Sequence, residues 1–210
     1  MNTKDIKISL IIGLLTGLMW SWVLIRLNTF ESLGLPTQYT WSLVILVPIL
    51  YLGILFIAGK LTRVIGFIES FVKYGMVGLL NTGVDFGIFN LLMVLTGNTL
   101  PGLALSSFKG MSFVVAVINS YFWNKYWSFR AASSTEEKGK EFFKFLLVNI
   151  VGALLNVGIT SAITLTIAPQ FGFGQIAWNN IAAVVATAIA LIWNFIGFRF
   201  IVFKKKPSNV

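Results

Sequence analysis

Residues 40–59 read TWSLVILVPILYLGILFIAG, a run of twenty residues without a charge. The hydrocarbon core of a bilayer is about 30 Å thick and needs roughly 20 mostly apolar residues in one helix. Comparable runs lie at 8–27, 71–95, 105–129, 143–168 and 176–203. Together they predict an all-α, polytopic membrane protein with about six transmembrane helices.

The composition agrees with a lipid-exposed surface. Of the 210 residues, 57% are hydrophobic and 11% are charged, whereas a soluble domain carries about 25% charged residues. The chain has no cysteine and no histidine, which excludes disulfides and the usual imidazole and thiolate metal ligands. We therefore expect no cofactor, no metal site and no catalytic residue. The first run is too long for a signal peptide and lacks a cleavage sequence, so we expect a retained helix.

The net charge of +9 is distributed asymmetrically. In a soluble protein it would suggest a nucleic-acid partner, but here the positions of the cations favour membrane topology and contact with anionic lipids. Fourteen cations fall on one side if both termini lie there: Lys4, Lys7, Lys60, Arg63, Lys73, Lys125, Arg130, Lys138, Lys140, Lys144, Arg199, Lys204, Lys205 and Lys206. Only Arg26 and Lys109 remain. Both termini are predicted to be cytoplasmic, with Lys4 and Lys7 before the first helix.

Two halves of the chain resemble each other. The segments are Phe71-Val-Lys73-Tyr74 with Phe142-Phe-Lys144-Phe145, Gly78-Leu-Leu-Asn81-Thr-Gly83 with Gly152-Ala-Leu-Leu-Asn156-Val-Gly158, and Tyr121…Lys125…Phe129 with Phe195…Arg199…Phe203. Each half contains two spans, which predicts a parallel repeat of helix hairpins over 66–130 and 138–206. Residues 1–65 form a separate N-terminal helix pair, in which Pro48 is expected to kink the second helix.

One carboxylate and one ammonium group are predicted to lie deep in the membrane. Asp85 follows Lys73 by twelve residues, and Lys109 precedes Lys125 by sixteen, so both lie roughly 18–24 Å from the cytoplasmic surface. An ion pair between them is expected, since a charge at this depth costs about 2.5–3.5 kcal/mol. The pair could simply join two helices. Asn119, Asn149, Asn156 and Asn194 could do the same, and a stripe at Gly75, Gly78, Gly83 and Gly87 indicates close helix packing.

A second group of cations is predicted nearer the cytoplasmic surface. Lys73 and Lys144 occupy equivalent positions in the two halves, as do Lys125 and Arg199. If the halves pack about a common axis, the four side chains converge at the headgroup level. Lysine and arginine there suit a phosphate group. Basic residues are also expected at this depth for topology alone.

These segments carry a resemblance to a known family. They are Phe71-Val-Lys73-Tyr74 with Gly78-Leu-Leu-Asn81-Thr-Gly-Val-Asp85, then Asn119-Ser-Tyr121-Phe-Trp-Asn124-Lys125-Tyr-Trp127-Ser-Phe129, and finally Asn194-Phe195…Arg199…Phe203. Over about 66–206 the chain resembles the GtrA-like family through these segments. Members usually have four helices, so the resemblance does not explain residues 1–65. It implies movement of a polyprenyl-phosphate-linked monosaccharide, such as undecaprenyl-phosphate hexose, to the outer leaflet of the bacterial inner membrane for cell-envelope polysaccharides.

The resemblance brings no agreed set of functional residues, so the site is predicted from charge and depth. Lys73, Lys125, Lys144 and Arg199 are expected to bind the phosphate. The sugar path is expected to contain Asn81, Asp85, Lys109, Asn119, Asn156 and Asn194. The partners are then the sugar lipid and membrane lipids. A partner glycosyltransferase and a homo-oligomer stay open.

Three other functions compete with this one. An accessory subunit of a membrane glycosyltransferase would copurify with that enzyme and be inactive alone. A small cation or drug exporter would depend on the Asp85 carboxylate. An enzyme is disfavoured because group transfer usually needs clustered carboxylates, a metal or a general base, and only Asp85 is predicted inside the membrane.

Overall fold

The computed structural model describes residues 2–97, 103–131, 137–172 and 174–203, and the side chains of residues 103 and 104 are outside this description. All regular structure in these ranges is helical. The helices are α1 (Thr3–Arg26), α2 (Thr29–Ser32), a 3₁₀ turn (Thr37–Ser42), α3 (Leu43–Leu61), α4 (Ile68–Leu95), α5 (Leu103–Trp123), α6 (Lys138–Thr166) and α7 (Gln175–Gly197). The described residues up to Arg130 form one compact unit, and those from Ala131 onward form a second.

Five helices within the described residues are long and apolar enough to cross a membrane: Thr3–Arg26, Thr37–Leu61, Ile68–Leu95, Lys138–Thr166 and Gln175–Val202. They match five of the predicted spans and make the chain a multi-pass membrane protein. The remaining span, predicted over 105–129, corresponds to α5 and the turn after it. At about 1.5 Å per residue, the 21 residues of α5 cover roughly 30 Å.

The first helix begins earlier than the sequence predicts. Asn2 accepts a hydrogen bond from the Lys4 amide and caps the helix at Thr3. Lys4 and Lys7 therefore lie inside α1 and not before it, which corrects the prediction. Lys204, Lys205 and Lys206, also predicted on the basic side, lie outside the described residues.

The N-terminal helices contribute to a hydrophobic core of the first unit. Its buried members come from α1, α3, α4 and the turn after α5; they are Ile12, Tyr51, Leu55, Met76, Val77, Leu80 and Trp127. Polar contacts also join these helices, because the Tyr51 hydroxyl donates to the Met76 carbonyl at 3.3 Å and the Trp20 indole donates to the Leu79 carbonyl at 3.0 Å. The division of the sequence at residues 65 and 66 stays a prediction, but both sides of it share this core.

Glycines set the closest approaches of α1. A Cβ built on Gly13 would lie 2.6 Å from the Pro48 Cα, so α1 and α3 touch through their backbones. On α4, Gly83 and Gly87 lie against Met19, and a Cβ added to either would lie 3.1 Å from a Met19 atom. The predicted glycine stripe is therefore confirmed for these two positions. It is wrong for Gly75 and Gly78, where a Cβ would meet no described atom within 4 Å.

Each of the two hairpins, α4–α5 and α6–α7, ends in one π-helical turn. These turns are Asn124–Ser128 and Phe198–Val202, and each is closed by a hydrogen bond spanning five residues, from the Phe129 amide in one and the Phe203 amide in the other. The Tyr74 and Phe129 rings lie 6.3 Å apart at 49°, and the Phe145 and Phe203 rings 6.1 Å apart at 44°. These pairs occupy positions that the predicted repeat aligns. The duplication itself stays a prediction.

Candidate functional site

Asp85 and Lys109 form an ion pair between α4 and α5, as predicted from their depths. The second Asp85 oxygen accepts a hydrogen bond from the buried Ser112 hydroxyl at 2.6 Å. The Lys109 ammonium also lies 4.9 Å from the centre of the Phe86 ring, at a distance typical of a cation–π contact. The Asp85 side chain is 19% exposed and that of Lys109 is 46% exposed. The pair therefore borders accessible space and is not sealed in the core.

Two asparagines and a tryptophan extend this polar surface, by one helical turn on α4 and by about three turns on α5. The Asn119 amide donates to the Asn81 carbonyl oxygen at 3.4 Å, and the Trp123 indole donates to the Asn119 carbonyl oxygen at 3.1 Å. The predicted sugar path included neither Trp123 nor Ser112. A detectable signal existed for Ser112, since it follows Lys109 by three residues and so shares its helix face.

We call this row of side chains the α4–α5 seam; it comprises Asn81, Asp85, Lys109, Ser112, Asn119 and Trp123. Except for Ser112, its members are partly exposed. The seam offers a carboxylate, an ammonium group and amide groups along the hairpin. Such groups can exchange their mutual hydrogen bonds for bonds to a hydroxyl-rich ligand without exposing unpaired polar atoms to lipid.

Lys73, near the start of α4, belongs to a second polar cluster in the first unit. Its ammonium donates to Asp5 at 2.7 Å and to Glu69 at 2.5 Å, and its side chain is 1% exposed. Arg130 also pairs with Asp5 and Glu69. We call these four residues the charge ring. The start of α1, the start of α4 and the chain after α5 meet there, so these three ends share one side of the unit.

The four predicted phosphate ligands are divided between the two units. Lys73 and Lys125 belong to the first, and Lys144 and Arg199 to the second. Lys125 is buried, and its ammonium lies 3.3 Å from the Tyr121 hydroxyl. Lys144 and Arg199 are half-buried, and the Arg199 guanidinium lies 5.7 Å from the Phe200 ring centre. Their convergence on one phosphate stays a prediction.

The two asparagines predicted in the second unit have different surroundings. The Asn156 amide donates to the Thr187 hydroxyl at 3.0 Å, which links α6 to α7. Asn194 packs against Gly152, where a Cβ would collide with its amide group. The buried Asn194 carbonyl oxygen accepts no hydrogen bond from the described residues. Asn149 bonds the carbonyl of Phe145 in its own helix, at 2.8 Å.

A double-mutant cycle can measure the coupling between Asp85 and Lys109. Lys109→Gln is expected to lower the free energy of unfolding by about 1–2 kcal/mol, less than the full cost of an unpaired charge in lipid because both side chains are partly exposed. Adding Asp85→Asn should recover at least half of that loss, since no charge then remains. Denaturation by SDS in mixed micelles gives the measurement. Strictly additive effects of the two substitutions would contradict a coupled pair.

Comparison with known proteins gives the family. A family model described as GtrA/DPMS, transmembrane domain, matches residues 73–203. An uncharacterized membrane protein, YngA, of Bacillus subtilis (strain 168) is 29% identical over 156 residues, which are 74% of this chain and 94% of the relative. No solved structure matches the chain. The family match spans well over half of the 210 residues and includes the whole α4–α5 seam, and the chain therefore belongs to the GtrA/DPMS transmembrane domain family.

Proposed function

We propose that this protein moves a polyprenyl-phosphate-linked monosaccharide from the cytoplasmic to the outer leaflet of the bacterial inner membrane. The sugar would then serve the glycosylation of cell-envelope polysaccharides. Membership of the GtrA/DPMS family supports the general class, a membrane protein of lipid-linked sugar transfer across bilayers. The observation that carries most weight is the partly exposed α4–α5 seam, which lies within a hairpin of the membrane-spanning region.

The substrate needs a polar path only for its headgroup. Its polyprenyl tail can stay in lipid, while the sugar hydroxyls and one phosphate must avoid the hydrocarbon. In the proposal, Asn81, Asn119 and Asp85 bind the hydroxyls and Lys109 binds the phosphate midway. Asn156 and Asn194 extend the path in the second unit. Lys125, Lys144 and Arg199, with Lys73, receive the phosphate on the cytoplasmic side, where both termini lie in the predicted topology.

The proposal requires no chemical step. The full sequence contains no P-loop, so we propose transport down the concentration gradient of the sugar lipid. We also propose that the protein is not an enzyme. The carboxylates of Asp5 and Glu69 come together in the charge ring, but each already pairs with two cations there, Lys73 and Arg130.

Liposomes with a labelled undecaprenyl-phosphate hexose test the seam directly. The double variant Asn81→Ala/Asn119→Ala is expected to slow translocation at least tenfold, because the seam then loses both amides that face each other across the hairpin. Asn90→Ala is the matched control, since Asn90 lies on α4 and its amide donates to the Phe86 carbonyl of its own helix. Equal rates for the double variant and the control would argue against a sugar path along the seam.

The phosphate assignment has a separate test. Lys125→Ala/Arg199→Ala is expected to reduce translocation at least tenfold in the same liposomes, because two of the four proposed phosphate ligands are lost. Lys138→Ala/Lys140→Ala is the control and removes two exposed cations at the start of α6. If the Lys125/Arg199 variant moved the lipid as fast as the wild type, the phosphate assignment would be abandoned.

One observation favours a second candidate, an accessory subunit that positions a membrane glycosyltransferase. Both Asp85 oxygens already have partners within the hairpin, as in a purely structural contact. This candidate predicts no translocation by the purified protein and stable copurification with an enzyme that uses polyprenyl phosphate. Translocation in liposomes that contain this protein alone would reject it.

A further inference from the structure

The charge ring has the geometry of an anion site that is already occupied. One Asp5 oxygen accepts from the Lys73 ammonium at 2.7 Å, and the other accepts from the Arg130 guanidinium. The carboxylate thus bridges the two cations, with one oxygen on each. A phosphate group in a diester also offers two free oxygens on one centre. Lysine as a point charge and arginine as a planar fork are the side chains that bind such a group.

Asp5 is the member of the ring that comes from outside α4–α5. Glu69 and Lys73 lie one turn apart on α4, and Arg130 follows the π-helical turn after α5, whereas Asp5 lies in the first turn of α1. First turns of helices open locally at lower free energy than helix interiors. Asp5 can therefore leave the ring while the other three groups keep their places.

The net charge of the ring rises from zero to +1 when Asp5 leaves. Two carboxylates and two cations sum to zero in the closed ring. Glu69, Lys73 and Arg130 alone sum to one positive charge, which complements the single negative charge of a phosphodiester. The Arg130 side chain is 52% exposed, and its backbone adopts a positive φ of 51°, a conformation that a non-glycine residue holds only when its surroundings impose it.

We propose that Lys73 and Arg130 form a phosphate-binding site and that Asp5 is a built-in competitor, which a phosphate group must displace. The sugar lipid of the proposed function would be one such ligand, and only in this respect does the inference rest on that function. The shared chemistry is a phosphate group with at least two free oxygens, carried by a lipid or free in solution. Asp5 then sets how tightly the phosphate is held and returns to the ring when it leaves.

Native mass spectrometry of the full chain in neutral detergent tests the competition. Phosphatidylglycerol is the lipid probe, inorganic phosphate the free probe and diacylglycerol, which has no phosphate, the lipid control. Asp5→Asn should bind the first phosphatidylglycerol about tenfold tighter than the wild type does, because the competing charge is gone. Glu31→Gln is the matched control: it removes an exposed carboxylate that bonds only Thr37 among the described residues, and it should behave as the wild type.

A second variant shows whether the gain comes from the ring. Asp5→Asn/Lys73→Met removes one charge of each sign and leaves the Glu69–Arg130 pair balanced, so the tenfold gain should disappear. A gain that persists in this variant, or equal affinities of Asp5→Asn and the wild type, would overturn the proposal. Displacement of the lipid by millimolar inorganic phosphate would extend the site to free phosphate, and no displacement would restrict it to lipid. If Asp5→Asn binds phosphatidylglycerol tenfold tighter, displacement and lack of displacement both agree with a site that binds a phosphate group, and they differ only in the source of that group.

The wild type gives an independent test that needs no variant. Saturating phosphatidylglycerol should speed hydrogen exchange of the α1 amides at residues 5–9, because Asp5 is released, and leave α7 unchanged. Slower exchange in this segment would contradict displacement. The two proposals also fail separately: an Asp5→Asn gain without translocation rejects the proposed function alone, and translocation without that gain rejects this inference alone.

Discussion

Replacing Lys73 with methionine is expected to lower the free energy of unfolding by about 3–5 kcal/mol, the usual cost of removing one partner from a buried ion pair. Lys73 is almost fully buried, and it contacts two carboxylates directly. Without its ammonium, Asp5 and Glu69 would share one cation, the half-exposed Arg130. The burial of Asp5 would then leave a negative charge without adequate compensation. The measurement is SDS denaturation in mixed micelles, followed by far-ultraviolet circular dichroism.

Lys140→Met provides the matched control for this prediction. Lys140 pairs with Glu137 at 3.3 Å, but the two side chains are 73% and 71% exposed. Exposed pairs of this kind contribute about 0–1 kcal/mol, so the control should stay within roughly 0.5 kcal/mol of the wild type. Combining Asp5→Asn with Lys73→Met should recover part of the loss. If Lys73→Met and Lys140→Met shifted the transition equally, the charge ring would have no special role in stability.

The double variant Gly13→Ala/Gly17→Ala is expected to destabilise the first unit by about 3 kcal/mol or more, beyond the usual 1–3 kcal/mol of a single overpacked site. A Cβ on Gly13 would lie 2.6 Å from the Pro48 Cα, and one on Gly17 would collide with the Leu43 carbonyl. Both obstacles are backbone atoms, which cannot rotate away as a side chain can. The two helices must separate, and their contact area is lost. The same SDS titration measures the effect.

Gly53→Ala is the control for helix packing, since Gly53 lies on α3 and a Cβ there would meet no described atom within 4 Å. This substitution should be neutral, or should stabilise the helix by up to about 1 kcal/mol because alanine has the higher helix propensity. A large loss in Gly53→Ala, or none in the double variant, would mean that the α1–α3 contact differs from the one described.

The helical spans could be predicted because hydrophobic length alone determines them, and five of the six predicted segments coincide with helices that qualify as spans. Their ends were harder to predict. The start of α1 depends on the Asn2 cap, and the polar residues Lys4 and Asp5 hide it from a hydropathy argument. No residue pattern predicted the π-helical turns; each is followed by an aromatic ring that lies near a ring of α4 or α6.

The part of the candidate site that depends on how deep a residue lies in its helix could be predicted. The part that depends on which helices pack together could not. Counting residues from the basic ends placed Asp85 beside Lys109, and the structure has that pair. The same counting treated Lys73 as a surface cation, because it says nothing about which helix covers α4. The partner that buries Lys73 is Asp5, 68 residues earlier in the chain. Only the packing of α1 on α4 brings the two together, and that helix–helix contact could not be inferred from a single sequence.

The charge ring also has a consequence for biosynthesis. Ribosomes make the chain from its N-terminus, so Asp5 emerges first, and Glu69 with Lys73 follows as a local pair on one helix turn. Arg130, the last member, is made 125 residues after Asp5. Until then the ring carries a surplus negative charge. Its completion coincides with the arrival of the final segment of the first unit, and an insertion intermediate truncated before residue 130 should remain a better target for membrane proteases than the complete unit.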